Sequence, residues 1–256
     1  MLTALRYSDQ LKVLARQSEK ADGPFTCPEC TREVVLHKGN FRTHHFKHKP
    51  PVTCVRGQGE TEEHLKAKLG IYDALALESN VADLELEKDF GISVADVYAK
   101  ISGNRVAIEI QRSKVTIADI CARTANYYNL GVAVLWVGLP DSELSSEKYS
   151  PSVWERWCHA AYFGRIYYWD SGQVLRPVHF GPHYTYVEPT SWYESGGIER
   201  SEGDYERIAK RYKKPHAGGQ VLLSRSFRST HKDAWVGGKI SIPECLLYID
   251  NQKKWW

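Results

Sequence analysis

Hydrophobic and polar positions change rhythm along the chain, and each change predicts a different element. Over the first fifty-odd residues the apolar positions come in short runs, Thr3 to Tyr7 and Leu11 to Gln17, which predict short strands and are followed by Phe25-Thr26-Cys27-Pro28-Glu29-Cys30. Val34-Val35-Leu36 and Phe41-Arg42 flank a turn signal at Lys38-Gly39-Asn40; Lys49-Pro50-Pro51 and Arg56-Gly57-Gln58-Gly59 read as a linker. From Glu60 the period becomes helical, with Leu65, Leu69, Tyr72 and Ala76 on one stripe to about Leu77. Strand-like runs follow at 82–88, 91–101 and 105–112. Ile117 to Leu130 is helical again, with Ile117, Ile120, Thr124 and Tyr127 on one side and Gly131 as its stop. Val132 to Val137 is a continuous apolar run suited to a central buried strand.

Past Pro140 the rhythm is less regular. Trp154 to Phe163 reads as a helix, 165–169 and 173–180 as a hairpin around Asp170-Ser171-Gly172, and Gly203 to Lys214 as a basic helix. The pattern therefore predicts an α/β protein in three parts: a β-rich N-terminal module at 1–57, an α/β core at 58–140 and an aromatic-rich C-terminal extension at 141–256. Trp154, Trp157, Tyr162, Tyr167, Tyr168, Trp169, Trp192 and Tyr193 give that extension its aromatic density. Core packing or a partner interface, a homo-oligomer included, accounts for them better than stacking on bases.

Composition narrows the function classes only modestly. A hydrophobic share of 42% with 25% charged residues is that of a soluble globular protein. No run approaches the roughly 18 apolar residues of a membrane helix, so no membrane partner is expected. The opening Met1-Leu2-Thr3-Ala4-Leu5-Arg6 is too short and polar for a signal peptide, and a cytoplasmic location is expected. A net charge of +3 permits an anionic partner without requiring one.

The chemistry lies in two places. The first is the run Ala95-Asp96-Val97-Tyr98, Ser102-Gly103-Asn104-Arg105, Ile108-Glu109-Ile110-Gln111. With Gly103-Asn104 as a two-residue hairpin loop, Ser102 faces Arg105, Tyr98 faces Glu109 and Asp96 faces Gln111. Asp96, Glu109 and Gln111 then share one face, with Ile110 between them, while Val97, Ile108 and Ile110 point into the core. Adjacent carboxylates repel unless a cation lies between them. Mg²⁺ or Mn²⁺ suits such oxygen ligands and would activate water for phosphodiester hydrolysis. A solvated polar face is the competing reading.

The second place is Cys27-x-x-Cys30, the half-site of a zinc module, with partners to be drawn from His44, His45, His48 and Cys54. His45 and His48 are the preferred pair and Cys54 the alternative. Four protein ligands leave no open position, so this zinc would be structural. Lys38, Arg42, Lys47 and Lys49 nearby would follow a phosphate backbone.

As an ordered set these residues resemble the CoiA-like competence nuclease family, within the PD-(D/E)xK superfamily. The residues that carry the likeness are Cys27-Pro28-Glu29-Cys30, His45-Phe46-Lys47-His48, Gly59-Glu60…His64…Lys68, Ala95-Asp96-Val97, Ile108-Glu109-Ile110-Gln111-Arg112-Ser113, Arg123…Tyr127 and Val134 to Val137. The likeness implies a restriction-endonuclease-like mixed sheet flanked by helices, and a metal-dependent nuclease acting on DNA rather than RNA. It implies Glu60, Asp96, Glu109 and Gln111 as catalytic, with Asp96, Glu109 and Ile110 at the Mg²⁺ or Mn²⁺ site. His64, Lys68, Arg112 and Arg123 would contact nucleic acid. Gln111 stands where the superfamily has Lys, which keeps open a second expectation, a non-catalytic nucleic-acid-binding or scaffold protein.

Overall fold

The computed structural model describes residues 1–54, 60–112, 115–238 and 240–256. The expected linker at 56–59 and Ser113 lie outside the described residues.

The N-terminal part is a five-stranded sheet of β1 (Thr3–Arg6), β2 (Lys12–Leu14), β3 (Phe25–Thr26), β4 (Glu33–His37) and β5 (His45–His48), in the order β2-β1-β3-β4-β5. Strict alternation in β4 and β5 turns Val34, Leu36, Phe46 and His48 inward and leaves Val35, His37 and Lys47 on the outer face. The inward set meets Met1, Phe25, Cys27 and Cys54 in a small core of its own.

The rest of the chain builds a mixed α/β body on one large sheet. α1 (Glu62–Ala76) leads into β6 (Val81–Asp89), β7 (Val94–Ile101), β8 (Asn104–Gln111), α2 (Ile117–Asn129), β9 (Ala133–Gly138), α3 (Val153–Ala161), β10 (Ile166–Ser171) and β11 (Val174–Val187). A short pair, β12 (Thr190–Tyr193) and β13 (Glu199–Glu202), precedes β14 (Tyr205–Ala217). Then come β15 (Val221–Leu222), β16 (Phe227–Lys232), β17 (Trp235–Gly237), β18 (Ile240–Ile242) and β19 (Cys245–Asp250). The main path runs β14-β11-β10-β9-β8-β7-β6, with β19 and β16 joined to it at β9. β9 is buried at every residue and parallel to β8, β10 and β19, which accounts for its unbroken apolar run. Residues beyond 140 thus extend the same sheet. Among the described residues, no helix is long and apolar enough to cross a membrane.

Local chemistry sets the ends of the helices. Thr61 caps α1, its hydroxyl accepting from the His64 amide at 3.3 Å, so the helix starts at Glu62 and Glu60 precedes it. Thr116 caps α2 by accepting from the Asp119 amide at 3.1 Å. Gly131, at φ +65°, ends it.

Two expectations are corrected. The β7–β8 turn is Ser102-Gly103, both at positive φ (46° and 84°), with Ile101 opposite Asn104 and Val97 opposite Ile108. The register is two residues from the expected one, because Ser102 rather than Asn104 takes the left-handed position. Residues 205–217 form a strand, not a basic helix. Tyr205, Ile208 and Tyr212 imitate a helical stripe in their spacing, but Val187↔Tyr205 and Tyr184↔Ile208 pair them across a ladder with β11.

Candidate active site and metal centre

The first cluster gathers at the N-terminal end of α1 against β6 and β7. Lys68, less than two turns from the helix start at Glu62 and only 3% exposed, points inward. Its ammonium donates to Asp96 Oδ1 at 2.9 Å, to Glu87 Oε1 at 3.2 Å and to Glu60 Oε1. His64, one turn earlier, sets Nε2 3.1 Å from Asp96 Oδ2, and the Ile110 amide donates to that same oxygen at 2.8 Å. Glu60 Oε2 also accepts from the Met1 amine at 2.5 Å. Glu87, at φ +49°, is buried on β6 and accepts from the Leu2 amide (2.7 Å), the Thr3 amide (3.1 Å) and the Thr3 hydroxyl (2.6 Å). β1 therefore closes one side of this cluster.

Charge explains how the group persists. Burial alone would disfavour the Lys68 cation, yet Asp96, Glu87 and Glu60 together hold its pKa well above the ordinary lysine value. Burial likewise opposes ionisation of the acids, and Lys68 overrides it. Glu87 falls to about 2, and Asp96, with help from His64, lies well below the usual carboxylate range. Glu60, His64 and Asp96 present one ligand atom each within 4.8 Å of one another. Two carboxylates and an imidazole suit Mn²⁺ better than the all-oxygen set expected from the hairpin alone.

Glu109 sits across from Asp96 if the β7–β8 register is continued one step, and its carboxylate is held from α2. Tyr127 donates its hydroxyl to Oε1 at 2.5 Å, and Arg123 pairs with Oε2. Arg123 also donates to the Val94 carbonyl at 3.2 Å and lies 5.2 Å from the Trp136 ring centre. Burial raises the Glu109 carboxyl to about 7 despite Arg123, and the Asp96 charge adds to that rise. Among the described residues, the group around Asp96 that could hold a metal does not include Glu109.

The second cluster is in the N-terminal sheet. Cys27, Cys30, His48 and Cys54 bring their ligand atoms within 4.8 Å of one another. Cys30 Sγ lies 3.3 Å from His48 Nε2 and Cys27 Sγ 4.0 Å from Cys54 Sγ. Burial would raise the Cys30 thiol, but hydrogen bonds from Arg32, His48 and Cys54 pull it to about 6, toward the thiolate that binds metal. Three soft thiols and an imidazole fit a tetrahedral zinc. His45 is elsewhere: its Nδ1 lies 2.8 Å from the Thr43 carbonyl, and its ring stacks on His37 at 5.2 Å.

With both clusters in place the comparisons with known proteins become informative. The family model described as "Competence protein CoiA, nuclease-like domain" matches residues 60–159, which runs from the Glu60 carboxylate to α3. That described as "Competence protein CoiA, N-terminal domain" matches residues 8–56, which contain all four residues of the Cys/His cluster. Together the two cover more than half of the chain. The chain belongs to the CoiA family. No curated protein and no solved structure matches it.

Within this CoiA-family chain, the residues singled out from the sequence are distributed unevenly. Glu60, His64, Lys68 and Asp96 come together. Ile110 joins them through its amide, while Glu109 turns to Arg123 and Tyr127. Arg123 is thus committed to a carboxylate, and Arg112 pairs with Glu63 at 2.5 Å. Gln111 ends β8 opposite Gly138. Lys68 places beside Asp96 the positive charge that Gln111 lacks; its spacing of four from His64 was the available signal. Glu87 was missed, because its burial depends on a left-handed kink in β6 and on hydrogen bonds from β1 some 85 residues away in sequence. The aromatics of the extension divide: Trp157, Tyr162 and Tyr167 are fully buried in the core, whereas Tyr193 is 71% exposed.

Proposed function

We propose that this CoiA-family protein is a divalent-metal-dependent nuclease that hydrolyses phosphodiester bonds in DNA, on a PD-(D/E)xK-type core. The observation that carries the reading is the joining of Asp96 to Glu60 and His64 with the Lys68 ammonium 2.9 Å away. Glu60, His64 and Asp96 would hold the ion, Mn²⁺ in preference to Mg²⁺ because of the imidazole. When bound, such an ion supplies a nucleophilic water at neutral pH and offsets charge on the phosphoryl group.

The chain's own groups do the remaining work. Lys68, buried with its three N–H groups on Glu60, Glu87 and Asp96, fixes Asp96 and Glu60 in orientation. Glu109, buried beside Asp96 with both oxygens engaged, acts as a positioning group that fixes the strand next to the ion site. Tyr127 and Arg123 set its position. Gln111 orients water or a phosphate oxygen through its amide. Cys27, Cys30, His48 and Cys54 would hold zinc in a structural role.

The test is cleavage of labelled single-stranded, duplex and branched DNA in Mn²⁺ and in Mg²⁺, comparing wild type with Asp96→Ala and Glu109→Ala. Metal-dependent cleavage by wild type that falls at least about a hundredfold in Asp96→Ala supports the reading. Equal DNA binding by all three proteins, with cleavage by none, replaces it with a non-catalytic DNA-binding role.

A further inference from the structure

The outer face of the β4–β5 hairpin carries side chains that neither the Cys/His cluster nor the Asp96 site uses. Ladder pairing sets Val35 opposite Lys47 and His37 opposite His45. The His37 and His45 rings stack with centres 5.2 Å apart and planes 12° from parallel, making a flat aromatic step. A concavity of about 560 Å³ opens over it, edged by Lys20, Lys38, Arg42 and Lys47. Lys38 is paired with Glu19 at 2.5 Å, whereas Lys20, Arg42 and Lys47 make no ion pair among the described residues. At the rim stands Phe41, 98% exposed.

Each feature alone is ordinary. A single exposed apolar side chain needs no explanation, and surface lysines are common. Their combination is selective. Positive groups converge from the 3₁₀ turn at Lys20–Asp22, the hairpin loop and β5, around three aromatic rings. His37 feels that field: burial first, then His45, Lys47 and Lys20, all push its pKa down. A ligand for this surface needs anionic charge spread along its length and flat apolar rings that are free to stack. Duplex DNA meets the first need only, since its bases are already stacked on one another. A single strand meets both.

We propose that this face of the N-terminal sheet binds single-stranded nucleic acid, an unpaired base stacking on Phe41 and the His37–His45 step while phosphates lie on Lys20, Arg42 and Lys47. The choice of a nucleic acid as the anion rests on the nuclease reading above. The surface is tied to the Asp96 site by short connections. His45 contacts the Thr43 carbonyl, and Thr43 donates its amide (2.9 Å) and hydroxyl (2.6 Å) to Glu62 in the first turn of α1. His64 and Lys68 follow on that helix. A strand seated here is delivered toward the N-terminal end of α1.

The experiment is fluorescence anisotropy of a labelled 20-nucleotide oligo(dT) and of a 20-base-pair duplex. It uses the full chain with zinc supplied and Mg²⁺ and Mn²⁺ omitted. Wild type is expected to bind oligo(dT) more tightly than duplex. Phe41→Ala should weaken oligo(dT) binding by about five- to a hundredfold, the range for one lost base stack, and leave duplex binding within about twofold. Phe41→Trp should keep the affinity. Lys47→Ala and Arg42→Ala should each reduce the slope of log K against log salt by about 0.7. Wild-type affinity in Phe41→Ala, or equal losses on both DNAs, overturns the proposal. The exposed position of Phe41 keeps folding out of the result, and an unchanged thermal melt checks it. Hydrolysis of bis(p-nitrophenyl) phosphate in Mn²⁺ is run alongside. That small diester does not need the hairpin surface, so Phe41→Ala should hydrolyse it at the wild-type rate. Failure of wild type to hydrolyse either it or DNA counts against the nuclease reading, while the anisotropy still decides this one.

Discussion

Replacing Lys68 with Met should destabilise the protein heavily at neutral pH, because the lysine is the shared counter-cation of three acids. Its ammonium reaches Asp96, Glu87 and Glu60 from a side chain that is 3% exposed, and Glu87 is as deeply buried as the lysine itself. Methionine fills nearly the same volume, so the change isolates the charge. Removing one partner of a buried pair costs about 3–5 kcal/mol. Asp96 and Glu60 keep 15% and 18% side-chain exposure and recover part of their hydration, which places the expected loss near the lower figure, about 3 kcal/mol. Urea unfolding followed by tryptophan fluorescence, with zinc supplied and no other divalent ion, measures it. Glu87→Gln made in the Lys68→Met background removes one stranded anion and should return about 1–3 kcal/mol, whereas Glu87→Gln alone should destabilise. If Glu60, His64 and Asp96 form an ion site, Mn²⁺ at a hundred times its Kd should return about 2.7 kcal/mol to the variant. A loss below about 1 kcal/mol, or no coupling between positions 68 and 87, would refute the argument that Lys68 holds these acids together.

Two further outcomes follow from other parts of the molecule. Cys54→Ser should lower the zinc retained per chain in elemental analysis, while His45→Ala should retain it, since Cys54 and not His45 faces Cys27, Cys30 and His48. His159 accepts from the Phe180 amide at 3.0 Å, and burial, followed by His179 and Lys213, lowers its pKa to about 4. A folded value below the unfolded one, near 6.5, means its contribution is complete above pH 6.5 and lost as pH falls to about 4, by up to about 3 kcal/mol. His159→Gln should remove that part of the acid slope in urea midpoints measured between pH 7.5 and 4.5, and an unchanged slope would show that His159 is not its source.

Much of the site was legible because its chemistry follows helical and strand periods. Glu60, His64 and Lys68 fall four apart, and a helix entered through Thr61 keeps them near one another even though Glu60 stands outside it. The hairpin was read with its loop displaced, yet Asp96 and Glu109 kept a shared face. A shift of two residues preserves the alternation of a strand, whereas a shift of one would have exchanged every side chain. What the periods could not show were choices made by tertiary contact. Spacing favours His45 over Cys54 as the fourth ligand, but Thr43 and His37 take His45 away and Cys54 joins the cluster. Residues 205–217 carry a stripe that suits either a helix or a strand, and only the long partner β11 decides. Glu87 has no signature, because its place depends on the amides of Leu2 and Thr3 and the Thr3 hydroxyl, far away in sequence.

The division of the two acids between two helices changes what the hairpin does. Anions brought together on adjacent strands need counter-charge if they are to stay ionised away from water. The chain supplies it twice, from α1 through Lys68 to Asp96 and from α2 through Arg123 to Glu109, with His64 and Tyr127 adding close polar contacts. The balance differs on the two sides. Lys68 faces three carboxylates and leaves an excess of negative charge around Asp96, where Glu60 and His64 also present ligand atoms. Arg123 pairs with Glu109, and burial, with the Asp96 charge, is strong enough there to lift the carboxyl to about 7. Unequal neutralisation separates two neighbouring carboxylates: on the proposed function Asp96 is the one placed to hold a cation, and Glu109 the one held by the protein. A spacing motif does not distinguish these two settings; the helices that flank the hairpin create them.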